Sequence, residues 1–481
     1  MASPKPSGPG APTARFLTGS IMRHVTVMAL TGAIGLVAVF AVDLLNFFYI
    51  SRLGEKPIAA AVGFAGVVGF FQISIAIGLT IGIGATVSAA IGSQKPGEAQ
   101  RIGTTSLIAM TAITLALGIA TAAAREPLLG LLQAKGETKA MASMYLLITS
   151  PSLPLMALGM CCAALLRSAG AARRAMNITL FAAVAVALMD PIFIFALHLR
   201  LEGAAISTVL SRVLLAGLGL RYVAQQGLLG RPEPTRAGAD LRRVAHVATP
   251  AILTNLATPV GSAFVTHTMA GFGVAAVAGQ ATIDRITPVA FGVIFALSGA
   301  VGPIMAQNLG GGRTDRVKET LRASLIFMVL TVAAAWAILA ATQDLLALAF
   351  SSQGVAAQLL HLFCSWIAGS MIFAGGLFVA NAAFNNLGRP GLATLLNWGR
   401  ATLGTIPFVY VGARFGPQGV VVGQALGSVL FGVAAVVIAF IVTEGLHRRA
   451  LAAVPEPIIA VPGGRGAAVN LVLGGGSPRK D

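Results

Sequence analysis

The sequence predicts an all-α, polytopic membrane protein of twelve spanning helices in two six-helix halves. Composition, the length of the apolar runs and an internal repeat predict it. Of 481 residues, 56% are hydrophobic and 10% are charged, against roughly a quarter charged in soluble chains. Apolar runs follow one another with short polar breaks, and about 20 apolar residues cross a bilayer as a helix. Backbone groups in lipid must pair internally, so only helices or closed barrels can cross. Barrel strands would alternate polar and apolar over about ten residues, whereas these runs are longer and apolar all round.

In chain order, residues 1–20 are rich in Pro, Gly, Ser and Ala and are expected to be a disordered tail rather than a signal peptide. The helices are expected at 22–51, 57–91, 101–124, 139–166, 174–197 and 203–226. A linker at 228–241 precedes the second half, with helices at 243–271, 275–307, 317–341, 355–385, 391–413 and 418–443. By lobe, this gives 21–227 and 242–443. Residues 444–481 read as a Pro/Gly-rich tail. Cys161, Cys162 and Cys364 all fall inside apolar runs, with neither a disulfide framework nor a zinc spacing. They read as small buried helix residues.

The net charge of +17 raises nucleic-acid binding and does not support it, because the basic residues form neither one face nor one arm. They sit in alternate loops. With the N-terminus in the cytosol, about 24 Lys and Arg lie on that side and about 7 on the other, the positive-inside pattern. Both termini are therefore expected to be cytosolic.

The halves repeat. Gly92 in Ala89-Ala90-Ile91-Gly92-Ser93 and Gly310 in Gln307-Asn308-Leu309-Gly310 are 218 residues apart. The same offset relates Gly170 to Gly388 and Gly32 to Pro250, and a similar one relates Gly203 to Gly419. Helix polarity is kept across it, so the halves are parallel repeats about an axis along the membrane normal. Proteins built this way hold substrate at the repeat interface near the midplane.

Three acidic residues fall well inside spans: Asp43, Asp190 and Asp284. A charge there costs roughly 2.5–3.5 kcal/mol on insertion scales, so each needs a reason. Asp43 has no Lys or Arg within two turns and reads as a titrating group or a hydrogen-bonded structural acid. Asp190 precedes Pro191 and either titrates or caps a local break. Asp284 is followed by Arg285 and either joins an ion pair or lines a cavity. Arg212 and His267 read more readily as structural, and Arg212 and Arg285 are taken as the only basic residues inside spans.

In order along the chain stand Asp43 through Ile50-Ser51-Arg52-Leu53-Gly54, Ala59-Ala60-Ala61-Val62-Gly63, Gly82-Ile83-Gly84 through Gly92, Tyr145, Leu166-Arg167-Ser168-Ala169-Gly170, Asp190-Pro191 and Gly203-Ala204-Ala205-Ile206-Ser207-Thr208. Gly302 through Gly312 and Asn386-Leu387-Gly388-Arg389-Pro390 follow in the second half. Together these resemble the multidrug and toxic compound extrusion (MATE) transporters over all twelve helices. The resemblance implies an inner-membrane antiporter, a monomer, that expels small amphipathic organic cations using an inward proton or sodium gradient, with no cofactor. It also implies that Asp43, Asp190, Tyr145 and Thr208 line a coupling site in the first lobe. Asn46, Asp284, Arg285 and Asn381 are the candidates for the substrate cavity.

Three departures qualify this. Gly32 stands where the family usually has a helix 1 proline. Val186 stands where DinF-type relatives add an Asn four residues before the helix 5 Asp. Losing that oxygen disfavours sodium, which needs several, and a proton needs only a carboxylate. The acidic residues that NorM-type members carry in helices 7 and 10 are absent: Thr258, Gly261 and Ser262 stand near that depth in one and Asn381 in the other. The chain therefore looks closer to the DinF type. A lipid-linked glycan flippase of the wider superfamily is the rival reading. An enzyme is disfavoured by six scattered His residues, and a primary pump by the absence of a phosphate-loop motif.

Overall fold

The structure, a computed structural model, describes residues 13–52 and 56–452. Among these residues it is all helix and turn, with twelve long passes. The first lobe holds α1 (Ile21–Arg52), α2 (Lys56–Gly92), α3 (Pro96–Ala123), α4 (Gly136–Ser168), α5 (Ala172–Ala196) and α6 (Arg200–Gln225). The second holds α7 (Pro234–Ala270), α8 (Val274–Ala290 and Gly292–Gly310), α9 (Thr314–Ala349), α10 (Val355–Ser365 and Met371–Asn386), α11 (Pro390–Gly399 and Ile406–Gly412, joined by a π turn) and α12 (Gly416–Ala452). Ten described stretches are long and apolar enough to cross a membrane; one, Pro390–Ala452, contains two passes. The less apolar α7, interrupted by Pro250 and Pro259, supplies the other. The chain is a multi-pass membrane protein.

Local sequence explains the interruptions. In α4, Pro151 and Pro154 flank a short 3-10 turn at Ser150–Ser152, because proline removes a backbone donor and breaks the ladder. Pro288 precedes the break in α8. In α5 and α11, which occupy equivalent places in the two halves, a π turn interrupts the helix at Ile192–Ala196 and Arg400–Gly404.

The repeat glycines have a structural meaning. Gly170 and Gly388 both adopt positive φ, 72° and 77°, at the turns after α4 and α10, a conformation open to glycine at no steric cost. Gly92 and Gly310 close the lobe interface. A side chain on Gly92 would meet the Gln307 backbone, and one on Gly310 the Ala89 carbonyl. Ser93 Oγ donates to Gly310 O across the same contact (3.0 Å).

The lobes meet at the end that carries the Arg-rich loops. There α2 packs on α7, with Gly82 against Ala248, and α1 packs on α8, with Gly32 against Ala296. Higher on α2, Gly63, Gly66 and Gly69 face open space. The molecule is thus a cleft open at one end and closed at the other. Phe40 stacks edge to face on Phe295 across the lobes at 6.1 Å, and Phe295 on Phe378 within the second lobe at 5.2 Å.

The closed end is latched on both sides of the seam. Arg101 at the start of α3 holds Asp240 at the start of α7 through two hydrogen bonds of 2.8 and 3.1 Å, with the Asp240 side chain 2% exposed. On the other side, Arg316 of α9 donates to the carbonyls of Phe16 (3.0 Å) and Gly19 (2.9 Å). Phe16 N donates to Gln307 Oε1 at 3.0 Å, and Phe16 is buried.

Residues 13–20 therefore depart from the expected loose tail: a buried phenylalanine and a comb of backbone hydrogen bonds fix them between the lobes. Residues 1–12 of that expectation lie outside the described residues, as do residues 453–481 of the C-terminal tail. The linker expected through residue 241 is helical from Pro234, a proline in the first turn that starts α7. The α12 helix runs to Ala452, past the expected end at 443, and Glu444 pairs with Lys318 at 2.5 Å. Thr314 also meets His447 (3.0 Å). The N-terminal segment and the end of α12 thus lie at the same, latched end.

Candidate functional site

The site grows from the packing of α1 against α5 and α6. Two features point α5 into the lobe. Its last α-helical turn ends at Asp190-Pro191, and the π turn that follows shifts the helix register. π turns recur at functional sites because they re-aim a side chain without ending the helix. Asp190 is fully buried, and neither carboxylate oxygen has a hydrogen-bond partner among the described residues. Ser207 of α6 lies beside it, but the Ser207 hydroxyl donates to Gly203 O at 3.0 Å. Asp190 therefore does not cap the break at Pro191. It is a buried carboxylate without a counter-charge, the most costly state for a polar group, and a proton or a cation would supply what it lacks.

Tyr145 and Thr208 complete the wall. The Tyr145 hydroxyl lies beside Thr208, and Arg212, Asp190 and Asp43 all lie within electrostatic reach of it. Thr208 in turn donates to Ala204 O (2.9 Å). Asp43 is exposed on α1, three residues beyond Phe40 and so on the helix face that meets Phe295 across the cleft. Asn46, a further turn along, has a buried and unpartnered Oδ1. Val186, one turn before Asp190, is half-buried and offers no oxygen. The structure therefore gathers Asp43, Asp190, Tyr145 and Thr208 in one lobe, with Asn46 on the same helix as Asp43.

Arg212 has a structural task. It donates to Thr149 O (2.7 Å) and Ser152 Oγ (2.8 Å), satisfying groups freed by the break in α4.

The remaining candidates lie in the other lobe. Asp284 accepts a hydrogen bond from Gln280 Nε2 (2.9 Å), and both Asp284 and Arg285 are exposed on α8. Asn381 is 7% exposed and accepts from Asn397 Nδ2 at 2.9 Å. It belongs to the interior of the second lobe rather than to the carboxylate cluster. Cys161, Cys162 and Cys364 are buried free thiols.

One residue was missed. Arg400 sits mid-span in α11, at the start of its π turn, so Arg212 and Arg285 are not the only basic residues within spans. Its Nε is buried without a partner. The next residue, Ala401, packs against Gly261 of α7, the position that the 218-residue offset pairs with Asp43. The signal was a single Arg in an apolar run. Among the described residues, a buried carboxylate without a partner thus lies in the first lobe at Asp190, and a buried guanidinium nitrogen without one lies in the second at Arg400.

Comparison with known proteins agrees with this architecture. The MatE family pattern matches twice, at residues 33–192 and 250–411, which reproduces the internal repeat. The chain is 28% identical to the FAD transporter of Shewanella oneidensis over 427 residues, covering 87% of this chain and 94% of that one. It is 22% identical to the multidrug export protein MepA of Staphylococcus haemolyticus over 415 residues, covering 84% and 90%. Among solved structures, the Vibrio cholerae MATE transporter VcmN superposes with a TM-score of 0.84 at 24% identity, covering 89% of this chain and 97% of that one. A MOP superfamily transporter from Pyrococcus furiosus, described as having a reversed binding-pocket polarity, superposes at 0.84 with 19% identity and coverage of 92% and 100%. These structural likenesses speak to the fold. With the family pattern spanning both halves, the chain is a membrane efflux transporter, not an enzyme, and it belongs to the MatE (MATE) family.

Proposed function

We propose that this protein is a proton-coupled antiporter of a bacterial inner membrane, with both termini cytosolic, that exports small amphipathic organic cations by alternating access. The observation that carries the proposal is Asp190, a buried carboxylate with no partner, beside Tyr145, Thr208 and the cleft-exposed Asp43. Facing outward, the site takes up protons at Asp43 and Asp190. Neutralising them removes the charge that holds a cationic substrate and changes the packing of α1. The latched end then opens, protons leave to the cytosol, and substrate binds the restored carboxylates. Mutually exclusive occupancy is sufficient for exchange, and each charge moved with the potential gains about 2.3 kcal/mol per 100 mV. Protons are favoured over sodium because Val186 withholds an oxygen that a hard cation would use. No cofactor is required, the functional unit is a monomer in contact with lipid, and nucleic acid is not a partner.

The test is ethidium efflux from proteoliposomes under an imposed pH or sodium gradient, comparing wild type with Asp43→Asn. Efflux driven by the pH gradient and lost in the variant is expected. Efflux driven by sodium alone would overturn the coupling ion.

Arg400 favours a second reading. A guanidinium whose Nε is buried without a partner among the described residues, in the lobe opposite the two carboxylates, suits a substrate with an anionic end, and the Shewanella relative is named a FAD transporter. Flavin nucleotide efflux that is lost in Arg400→Gln, with ethidium efflux absent in wild type, would favour it. The flippase reading needs several cavity arginines for phosphates. Arg212 is committed to the α4 break, which leaves that reading weaker.

A further inference from the structure

The two latches at the closed end join helix ends that the internal repeat relates, but through different residues, and their surroundings also differ. On one side, residues 15–19 fill the groove between α8, α9 and the start of α1. Phe16 bonds to Gln307 and Asn308, Arg316 takes the Phe16 and Gly19 carbonyls, and Leu17 lies against Gly311. The 218-residue offset maps this groove onto the one between α2, α3 and the start of α7, with Ala89 for Gln307, Glu98 for Arg316 and Arg242 for His24. That second groove is a cavity of about 1150 Å³ whose lining includes Ala89, Lys95, Glu98, Arg242, Arg243 and His246.

The two segments are placed differently. Residues 15–19 lie in their groove ahead of α1. The same offset maps them onto residues 233–237, which are taken up into the start of α7, and the connection before it, residues 227–233, is drawn over α3. There Gln100 Nε2 donates to Gly227 O (2.7 Å), and Gly230 N donates to Thr104 Oγ1 (2.9 Å).

Charge says what fits the unfilled groove. Lys95, Arg242 and Arg243 face one acid, Glu98, which is already engaged by Arg243 (2.5 Å) and Lys95 (3.8 Å). Arg101 and Asp240 neutralise each other next door, and Arg242 has no acidic partner among the described residues. The chain's own ends are poor occupants: residues 1–12 carry a single Lys and no acid, and residues 453–481 carry more Arg and Lys than Asp and Glu. The lining also has an apolar wall that includes Ile102.

We propose that this groove is a binding site for a phosphate-bearing anion, a lipid headgroup or a soluble phosphate, that bridges Lys95 of the first lobe to Arg242 and Arg243 of the second. Its occupant does for this seam what residues 15–19 do for the other: it ties the lobes together at the latched end. A basic pocket between spanning helices has the chemistry to hold such a headgroup.

Delipidated full-length protein in detergent would be titrated separately with phosphatidylglycerol, phosphatidylcholine and pyrophosphate, reading bound mass by native mass spectrometry and the shift in melting temperature. Saturable phosphatidylglycerol binding that stabilises the protein, weakened roughly tenfold or more in Arg242→Gln/Arg243→Gln, supports the site with lipid as its source. The same dependence for pyrophosphate alone supports it with a soluble source. Equal binding of phosphatidylcholine, binding unchanged in the variant, or no binding of either anion overturns it. Should the double variant fail to fold, Lys95→Gln replaces it: that side chain is 66% exposed, and its loss must still weaken binding.

Discussion

Asp190 and Asp43 sit close together and face different surroundings. Asp190 is sealed within the lobe without a hydrogen bond, and Asp43 faces the cleft. Replacing Asp43 with Asn keeps shape and hydrogen-bonding capacity and removes only the titration, so expression should persist while resistance to cationic drugs disappears. Retained resistance in a growth assay would remove Asp43 from the mechanism. Val186→Asn restores an oxygen one turn from Asp190 and should confer sodium-stimulated efflux, read in proteoliposomes at fixed pH. An unchanged ion dependence would mean that Val186 does not select the ion. Much of this site was legible in the sequence because a carboxylate in an apolar run is costly enough to stand out. Arg400 was just as costly and was passed over, since one basic residue in a long run carries no spacing to compare. The lack of a partner for Asp190 was not legible at all: Ser207 is close by, and only the direction of its hydroxyl shows that it serves Gly203.

At the scale of elements, helices and lobes were legible because hydropathy and loop charge survive without knowledge of tertiary contacts. The expected spans fall on the observed ones, with the largest differences where α7 begins early and α9 and α12 run long. The extensions of α7 and α12 are rich in polar and charged residues, which hydropathy does not score as span, and that of α9 begins with Thr342-Gln343-Asp344, which marks an apparent end. The breaks in α8 and α10 were merged into continuous spans for the converse reason, since both sides of each break are apolar. The repeat glycines marked more than turns: Gly92 and Gly310 are where backbones of the two lobes touch. Gly92→Leu should force the lobes apart there, costing about 1–3 kcal/mol or more as overpacking does. A lowered melting temperature, with greater cysteine labelling at the latched end, would show it. An unaltered melting temperature would mean that the contact tolerates a side chain.

For the whole molecule, the cleft opens at one end because the contacts between lobes concentrate at the other. The Arg101–Asp240 pair is one such contact, and hydrogen bonds to charged groups contribute about 1.5–3 kcal/mol each. Asp240→Asn should shift the population toward a form open at the latched end, seen as a shortened spin-label distance across the mouth of the cleft. Asp240→Asn in an Arg101→Gln background should add little, because the pair is already broken. Additive effects of the two changes would mean that they act through different contacts.

The docked segment at residues 15–19 bears on how the protein can be handled. It ties the start of the chain to α8 and α9 of the opposite lobe, so anything fused ahead of it pulls on a working part of the machine. A fluorescent reporter placed there would perturb the exchange it was meant to follow, whereas one placed beyond Ala452 would leave that seam alone.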